Sequence, residues 1–355
     1  MRQSYVINKS VSKQWLPAVA VCALLFLILA FPDIGLSQQT CVRIMKQDST
    51  LNNLVDPPGY MTSEPGIVGN VIRGGTGSTP MILIAGAGFG GDVFQEFMDA
   101  HASDYRMFAV TIPGFGGTAA PPSPKEGTSF GEHTWTNNAL AGIERLMAQE
   151  VIGDAIVVGH WLIGTQLAVR YATMHPEKVR GVILLSGTPK WNIVDTAYAK
   201  YYETHAKRVA SVDGFLASGW FKTVTRETWD DNNFLPQDYA VNPVRALRLW
   251  RQAADAPLHV WVRYLCEYNA QDLCPELQNL TDPVLVLKPG LEGLWAETGQ
   301  NYMVDTYLHK SWDGCVENNP KFKMVTIPNS RACLWYDQPE LVDTAIEEFL
   351  SGIGK

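Results

Sequence analysis

Residues 157–187 read VVGHWLIGTQLAVRYATMHPEKVRGVILLSG, and two short apolar runs in and around this stretch flank a longer helical pattern. The first run, 155–159, ends in a turn near residue 161. Residues 162–174 carry apolar side chains at helical spacing, and the second run follows at 181–186. This order predicts a strand, a tight turn, a helix and a second strand parallel to the first, because parallel strands need a crossover connection.

The same alternation extends along most of the chain. Short aliphatic runs bounded by Gly, Pro or polar residues predict strands that are buried on both faces. The predicted strands are 81–85, 107–112, 155–159, 181–186, 284–288 and 323–327, and the predicted helices are 134–150, 162–174, 297–310 and 339–350. The sequence therefore predicts an α/β fold in which helices flank a mostly parallel sheet.

The alternation is interrupted between residues 190 and 280, where no convincing strand is present and aromatic residues are frequent. An insertion after a strand would lie over the carboxyl ends of the sheet, where open α/β folds bind ligands. We therefore predict a core formed by residues 38–189 and 281–355, with residues 190–280 as a helical lid. The alternative for most of the aromatic residues is that they only fill the core of the insertion itself.

The N-terminus has the parts of a secretory signal in their usual order. Basic residues precede an apolar run over 16–31, and the small residues Gly35 and Ser37 precede Gln38. We predict cleavage after Ser37, which makes 1–37 a signal segment and places the mature protein outside the cytoplasm, either secreted or periplasmic. The alternative is an uncleaved anchor, although the apolar run is shorter than the roughly 20 residues that span a bilayer, so no stable membrane span is expected after cleavage.

The charge balance and the cysteines exclude several classes of function. The chain has 36 acidic and 28 basic residues, a formal net charge of −8, and no basic stripe, so a nucleic-acid partner is not expected. Cysteines stand at 22, 41, 266, 274, 315 and 333. The pair nearest in sequence, Cys266 and Cys274, is the easiest disulfide to form, although sequence does not fix connectivity. No His lies at zinc-ligand spacing from these cysteines, so neither a metal nor another cofactor is predicted.

Four stretches together resemble the α/β-hydrolase fold family, which includes lipases and esterases. The stretch GHWLIG resembles the turn that carries the nucleophile, written G-x-S-x-G in that family. The other three resemble the oxyanion loop, the loop after the next strand and the histidine loop; they are ILIAGAGFGG (82–91), TIPGFGGTAAPP (111–122) and MVTIPNSRACLWYDQPE (324–340). The resemblance implies a serine hydrolase with a Ser-His-acid triad.

The residues at the triad positions do not have the chemistry of the family. The resemblance places Trp161 at the nucleophile, and an indole offers one N–H donor and no acceptor. Aligning a neighbouring residue with the nucleophile position does not supply a nucleophile either. Leu162 and Ile163 are aliphatic, and strand alternation predicts that His160 points back into the sheet. We expect a positive φ at Trp161, obstruction by the branched Ile163 and a distorted turn in which the Leu162 N–H is a poor oxyanion donor.

The resemblance also assigns residues to the histidine and the acid positions of the triad. The resemblance places Ala332 at the catalytic histidine, and no histidine follows His309. Glu292 falls at the acid position but has no histidine to orient. Gly86, Ala87 and Leu162 form the vestigial oxyanion site. We therefore predict no catalytic residue in this constellation.

Several other side chains carry groups that could in principle substitute for the triad. A carboxylate nucleophile, a reactive thiol or a displaced serine would each need a base beside it, and the sequence places none. These candidates are Asp92, Asp305, Asp313, Cys333, Ser186, Ser330 and, as a distant base, His309. The leading hypothesis is an inactive serine-hydrolase fold that retains binding of an apolar small molecule. The alternative is an active exported hydrolase with a non-standard site.

Overall fold

The computed structural model describes residues 52–191, 196–232, 235–293, 310–316 and 319–353, and its centre is a sheet of seven strands. The strand order is β1-β3-β2-β4-β5-β6-β7, and every neighbouring pair is parallel except β1 with β3. The strands are β1 Asn70–Gly74, β2 Thr79–Ile84, β3 Tyr105–Thr111, β4 Ala155–His160, β5 Val179–Leu185, β6 Val284–Pro289 and β7 Phe322–Ile327. The predicted α/β fold with a mostly parallel sheet is confirmed.

Burial explains which strands the sequence reveals. All six residues of β4 are buried, as are nearly all of those in β5 and β6, because helices cover both faces of the sheet. Each of the six predicted strands is present, with ends that differ by one or two residues. The antiparallel edge strand β1 was not predicted, because its sequence NVIRG is half exposed and has no apolar run.

The helices of the core flank this sheet. Three predicted helices are confirmed: α2 (Thr134–Gln149), α3 (Ile163–Met174) and α11 (Pro339–Gly352). The fourth predicted helix, over 297–310, lies almost entirely outside the described residues. The shorter core helices are α1 (Gln95–Ala100) and α10 (Leu334–Asp337), with 3₁₀ turns at Gly91–Phe94, Pro176–Lys178 and Lys310–Trp312.

The segment between β5 and β6 is helical in its described residues, and a single bridge between Lys190 and Asp272 joins its two ends. Its elements are α4 (Thr196–Ala199), α5 (His205–Ser211), a π-helical stretch (Val212–Phe221), α6 (Arg226–Asn232), a 3₁₀ turn (Pro236–Asp238), α7 (Pro243–Ala254), α8 (Leu258–Ala270) and α9 (Cys274–Asn279). Helix α8 crosses the carboxyl ends of the strands, where the Tyr264 hydroxyl donates to the carbonyl of Pro113 at 2.8 Å. Whether this insertion opens as a lid stays a prediction.

Aromatic side chains of the insertion pack against one another. The Trp220 and Trp229 rings stack with centroids 5.7 Å apart, and Trp229 lies 5.6 Å from Trp261. Trp261 also contacts Phe115, which belongs to the core of the protein. Much of the aromatic content therefore forms the interior of the insertion and its junction with the core, as the alternative interpretation predicts.

The cysteine pairing differs from the predicted one. Cys274 forms a disulfide with Cys315, so the predicted Cys266–Cys274 bond is wrong. The reason is that Cys266 lies inside α8, fully buried, whereas Cys274 begins the next helix and faces the segment 310–316. Cys333 is also a buried free thiol. Cys41 and the predicted signal segment 1–37 lie outside the described residues.

In the part of the chain that the structure describes, no helix is both long enough and apolar enough to cross a bilayer.

The packing of α3 on β4 depends on two glycines and gives the first prediction. A Cβ at position 159 would lie 2.4 Å from the carbonyl oxygen of Gly164 and 2.6 Å from the Ala168 Cβ. Gly159→Ala is therefore expected to lower the free energy of unfolding by about 1–3 kcal/mol, the usual cost of overpacking. Gly153→Ala is the matched control, because nothing lies within 4 Å of its Cβ. Equal stability of the two variants in denaturant unfolding would contradict this account.

Candidate functional site

The turn between β4 and α3 is strained over two consecutive residues. Strand β4 ends at His160 and helix α3 begins at Ile163, which leaves Trp161 and Leu162 to reverse the chain. Trp161 has a φ of 44° and Leu162 has a φ of 50° with a ψ of −109°. Positive φ is uncommon for bulky residues, and this ψ lies outside the left-handed helical region. Neither tip residue carries an atom that could serve as a nucleophile.

The close approach of helix and strand falls on Gly164. A Cβ at that position would lie 2.9 Å from the carbonyl oxygens of Ile84, the last residue of β2, and Ala85, which follows it. Ile163, the residue expected to obstruct the turn, is instead fully buried as the first residue of α3. The position that requires a small side chain is therefore 164 and not 163 as the sequence predicts, because two residues and not one form the tip of the turn.

His160 connects two loops of the site, a role that strand alternation did not predict. Its Nδ1 accepts a hydrogen bond from the backbone N–H of Gly86 at 3.2 Å, and its Nε2 lies 3.2 Å from the carbonyl oxygen of Ala332. Since the carbonyl can only accept, the ring is the neutral tautomer with its proton on Nε2. The imidazole is fully buried among aromatic rings, and this burial lowers the pKa of His160 to about 3.

The histidine position is occupied by a buried alanine that is held from both sides. Ala332 is 1% exposed, and its N–H donates to the carbonyl of Asp238 at 3.0 Å. The next residue, Cys333, donates to the carbonyl of Tyr239 at 3.0 Å. The His160 ring therefore connects Ala332 to the turn, and the two backbone bonds fix the histidine loop to the helical insertion.

Glu292, the residue at the acid position, is exposed and points elsewhere. Its Oε2 accepts from the N–H of Asn329 at 2.7 Å, and its carbonyl accepts from the Arg331 guanidinium at 2.8 Å. These bonds brace the turn that precedes Ala332 but do not reach Ala332 itself. The Glu292 carboxylate therefore stabilises the conformation of this loop.

The oxyanion loop keeps part of its donor set. The Gly86 N–H is used by His160, and Trp161 lies so close that a Cβ on Gly86 would be 2.6 Å from the Trp161 Cβ. Ala87 and Leu162 are buried, and within the described part of the chain their backbone N–H groups donate to no protein acceptor. Two buried donors near the turn are thus available to an oxygen atom of a ligand.

Asp238 and Arg331 are two buried charged residues that sequence reasoning missed, and each acts electrostatically on the other. Asp238 Oδ2 accepts from the N–H of Leu235 at 2.7 Å, and burial raises the pKa of Asp238 to about 7 although Arg331 and this hydrogen bond lower it. Burial lowers the pKa of Arg331, and the nearby Asp337 raises it. The only signal in the sequence is Arg331 next to Ala332, because Asp238 is distant in the chain.

The other candidate side chains are dispersed. Asp92 and Asp313 are exposed, and Asp92 accepts from Gln252 at 2.7 Å. Ser330 donates to the carbonyl of Ile327 at 2.7 Å, and burial raises the pKa of the Cys333 thiol well above its usual value. Asp305 and His309 lie outside the described residues.

Ser186 is the one candidate with unusual geometry. It follows β5 with a φ of 53°, is 1% exposed, and its buried Oγ has no hydrogen-bond partner among the described residues.

No group of three or more His, Cys, Asp or Glu side chains in the described ranges is arranged to hold a metal ion.

The lowered pKa of His160 predicts acid sensitivity of the fold. The folded protein resists protonation of this ring, so its contribution to stability is complete above the ordinary pKa of 6.5 and is lost as the pH falls from 6.5 toward 3. His160→Asn is expected to flatten the dependence of the unfolding free energy on pH, measured in denaturant from about pH 8 to about pH 5.

His133 provides the comparison for this experiment. Burial also lowers the pKa of His133 to about 3, but this ring stacks on His205, away from Ala332. Both His133→Asn and His160→Asn should flatten the pH dependence, while only His160→Asn should accelerate amide hydrogen exchange over residues 329–333. Unchanged exchange in the His160 variant would argue against the bridge.

Proteins of known activity resemble this chain over most of its length. Pimeloyl-[acyl-carrier protein] methyl ester esterase of Yersinia enterocolitica is 26% identical over 276 residues, which cover 78% of this chain and 94% of the relative. The enzyme with the same name from Aeromonas hydrophila is 26% identical over 218 residues, which cover 60% of this chain and 77% of the relative.

Solved structures agree in fold. An esterase from Exiguobacterium antarcticum matches with a TM-score of 0.58 at 14% identity, covering 83% of this chain and 100% of that one. A thermophilic esterase from Thermogutta terrifontis matches with a TM-score of 0.57 at 16% identity, covering 81% and 94%. A sequence profile described as "Alpha/beta hydrolase family" matches residues 81–345, which confirms the predicted resemblance. This chain therefore belongs to the alpha/beta hydrolase family.

Proposed function

We propose that this protein is a non-hydrolytic member of its family that binds an apolar small molecule at the carboxyl end of the sheet. One observation carries the proposal: the His160 ring bonds to the Gly86 N–H on one side and to the Ala332 carbonyl on the other. A buried structural side chain thus joins the oxyanion loop to the histidine loop. A serine hydrolase needs both loops to present donors and a base to its substrate.

The chemistry of the turn supports the loss of hydrolysis. The residue at the nucleophile position is Trp161 or Leu162, the two residues at the tip of the turn, and neither side chain can attack a carbonyl. Ala332 supplies no base, and removal of nucleophile and base acts on catalysis as one unit. What can persist is binding, together with stabilisation by backbone donors.

Retained binding is supported by what the turn still offers. The N–H groups of Ala87 and Leu162 have no protein acceptor in the described ranges, so they could receive the carbonyl oxygen of a ligand. The half-buried Trp161 and the Trp261 ring, which lies against Gly88, make the surroundings aromatic. Sites of this composition bind apolar molecules with a few polar contacts. The relatives named above are methyl ester esterases, so an ester is the ligand class to test first.

Medium-chain methyl esters are expected to bind saturably and to be recovered intact. Binding can be followed by titration of tryptophan fluorescence, and the ester and its acid can be measured after long incubation at neutral pH. Trp161→Phe is the matched variant, which keeps an aromatic ring and should alter affinity without causing turnover. Hydrolysis by the unmodified protein would overturn the proposal.

A graft of the missing groups tests where the vestigial site lies. Trp161→Ser with Ala332→His restores a nucleophile and a base if Trp161 is the nucleophile position, and Leu162→Ser with Ala332→His does so if Leu162 is that position. We expect measurable ester turnover only in a double variant, because a serine without a base remains weakly nucleophilic. Turnover in either single serine variant would mean that another residue supplies the base.

An active hydrolase with a non-standard site is the second candidate, and Ser186 is the observation that favours it. Its positive φ and unpartnered Oγ are unusual for a residue at a strand end. A fluorophosphonate probe distinguishes the two candidates, because it labels activated serines. No labelling is expected, whereas labelling that disappears in Ser186→Ala would establish the second candidate.

A further inference from the structure

Helix α8 has two chemically different faces. On one face Tyr264 bonds to the Pro113 carbonyl and Trp261 lies against Gly88, so this face covers the vestigial site. The opposite face carries His259 and Arg263, which contact the rings of Tyr60 and Phe130. This second face is therefore separate from the turn and from the oxyanion loop.

Arg263 is buried with most of its hydrogen-bonding capacity unused. The residue is 6% exposed, and neither Nε nor Nη2 has a hydrogen-bond partner among the described residues. The face of the guanidinium lies 4.9 Å above the centroid of the Phe130 ring. Nε and Nη2 form one edge of the planar group, the edge that holds a carboxylate through two parallel hydrogen bonds.

Glu267 is the nearest acid, but its oxygens serve another purpose. Its Oε1 accepts from the N–H of Trp135 at 2.8 Å, while its Oε2 accepts from the N–H and the hydroxyl of Thr136 at 2.9 Å and 2.8 Å. Glu267 thereby caps the start of helix α2. Its Oε1 lies 3.7 Å from Arg263 Nε, which is an ion pair but is too long for a hydrogen bond.

The charges around Arg263 are mixed. Arg170 donates to the hydroxyl of Thr136 at 2.9 Å, so Arg170 and Arg263 both act on the buried carboxylate of Glu267, and the partly buried Glu276 acts on Arg170 as well. Asp213 and Asp56 act on Arg263 from farther away, and both are partly exposed, so water screens them. A buried cation with unused donors is costly unless a partner compensates it.

We propose that the Nε–Nη2 edge of Arg263 is a binding site for the carboxylate group of a small organic acid. His259 lies one turn earlier on the same face, and its buried Nε2 also has no hydrogen-bond partner in the described chain. This nitrogen is a second unused polar atom on the face that carries Arg263. The Phe130 and Tyr60 rings provide an apolar wall for the body of the acid. The site does not depend on the function proposed for the turn.

The test uses acetate, octanoate and inorganic phosphate as probes at constant ionic strength, with chloride as the reference. Thermal unfolding midpoints and calorimetric titration should show saturable binding of octanoate to the full chain. Arg263→Met should weaken that binding about tenfold or more, as loss of a charge-assisted pair predicts. Arg263→Lys should weaken it too, because an ammonium has no planar fork.

The stability of the unliganded variants separates a binding role from a structural one. Without ligand, Arg263→Met should unfold at the same temperature as the parent or higher, because it removes a buried charge that lacks hydrogen bonds. Arg208→Met is the matched control: Arg208 is similarly buried but bonds to Asp272 and the Trp191 carbonyl, so this variant should lose stability and keep its response to octanoate.

Three results would overturn the proposal. The first is no saturable response to either carboxylate, which would mean that the edge holds only water. The second is a response to phosphate alone, which would exclude the carboxylate class. The third is an Arg263→Met variant that is as unstable as Arg208→Met and still binds octanoate like the parent, because Arg263 would then be a structural residue.

Discussion

The hydrogen bonds of the His160 ring hold the site together. Nδ1 accepts a hydrogen bond from the N–H of Gly86, which follows β2, and the Nε2–H donates to the carbonyl of Ala332, which follows β7. Because β2 and β7 lie on either side of β4 in the sheet order, one side chain links loops from distant parts of the sheet. The ring can do this only while it is neutral, since protonated Nδ1 could not accept.

Tight packing then explains how the strained turn persists with Trp161 and Leu162 at its tip. Gly159 and Gly164 let α3 and the strands approach so closely that a Cβ on either would meet backbone oxygens. With the helix fixed in this way, Trp161 and Leu162 have to adopt positive φ to close the connection. Such strain costs on the order of 1–3 kcal/mol per residue and survives where the surroundings determine the backbone. In an active hydrolase it presents a nucleophile, whereas here it presents an indole and an isobutyl group.

The sequence predicted those parts of the fold in which burial requires a regular pattern of apolar residues. Strands β4 and β5 are apolar runs because both faces are covered, and α3 follows from its helical spacing. The edge strand β1 left no such pattern, because half-exposed residues tolerate polar side chains. The disulfide partner of Cys274 depends on how the 310–316 segment packs, which local sequence does not encode.

The sequence predicted which residues stand at the triad positions, but it did not predict how the structure arranges the turn and the histidine loop around them. A resemblance assigns residues to positions one by one, so it revealed that Trp161 and Ala332 lack nucleophile and base. It did not reveal that two residues share the tip, since that depends on where helix and strand touch. The contact between Asp238 and Ala332 joins residues far apart in the chain, and such contacts follow from the packing of the insertion rather than from any local pattern.

The attachment of the insertion favours binding over turnover. Backbone hydrogen bonds join Asp238 to Ala332 and Tyr239 to Cys333, while Asp337 accepts from the N–H of Val241 at 2.9 Å. Many hydrolytic cycles need a cover that opens for product release. Opening here would break these three hydrogen bonds together, at a net cost of about 0.5–1.5 kcal/mol for each. A ligand held beneath such a cover would exchange slowly, which suits retention of a molecule better than its repeated conversion.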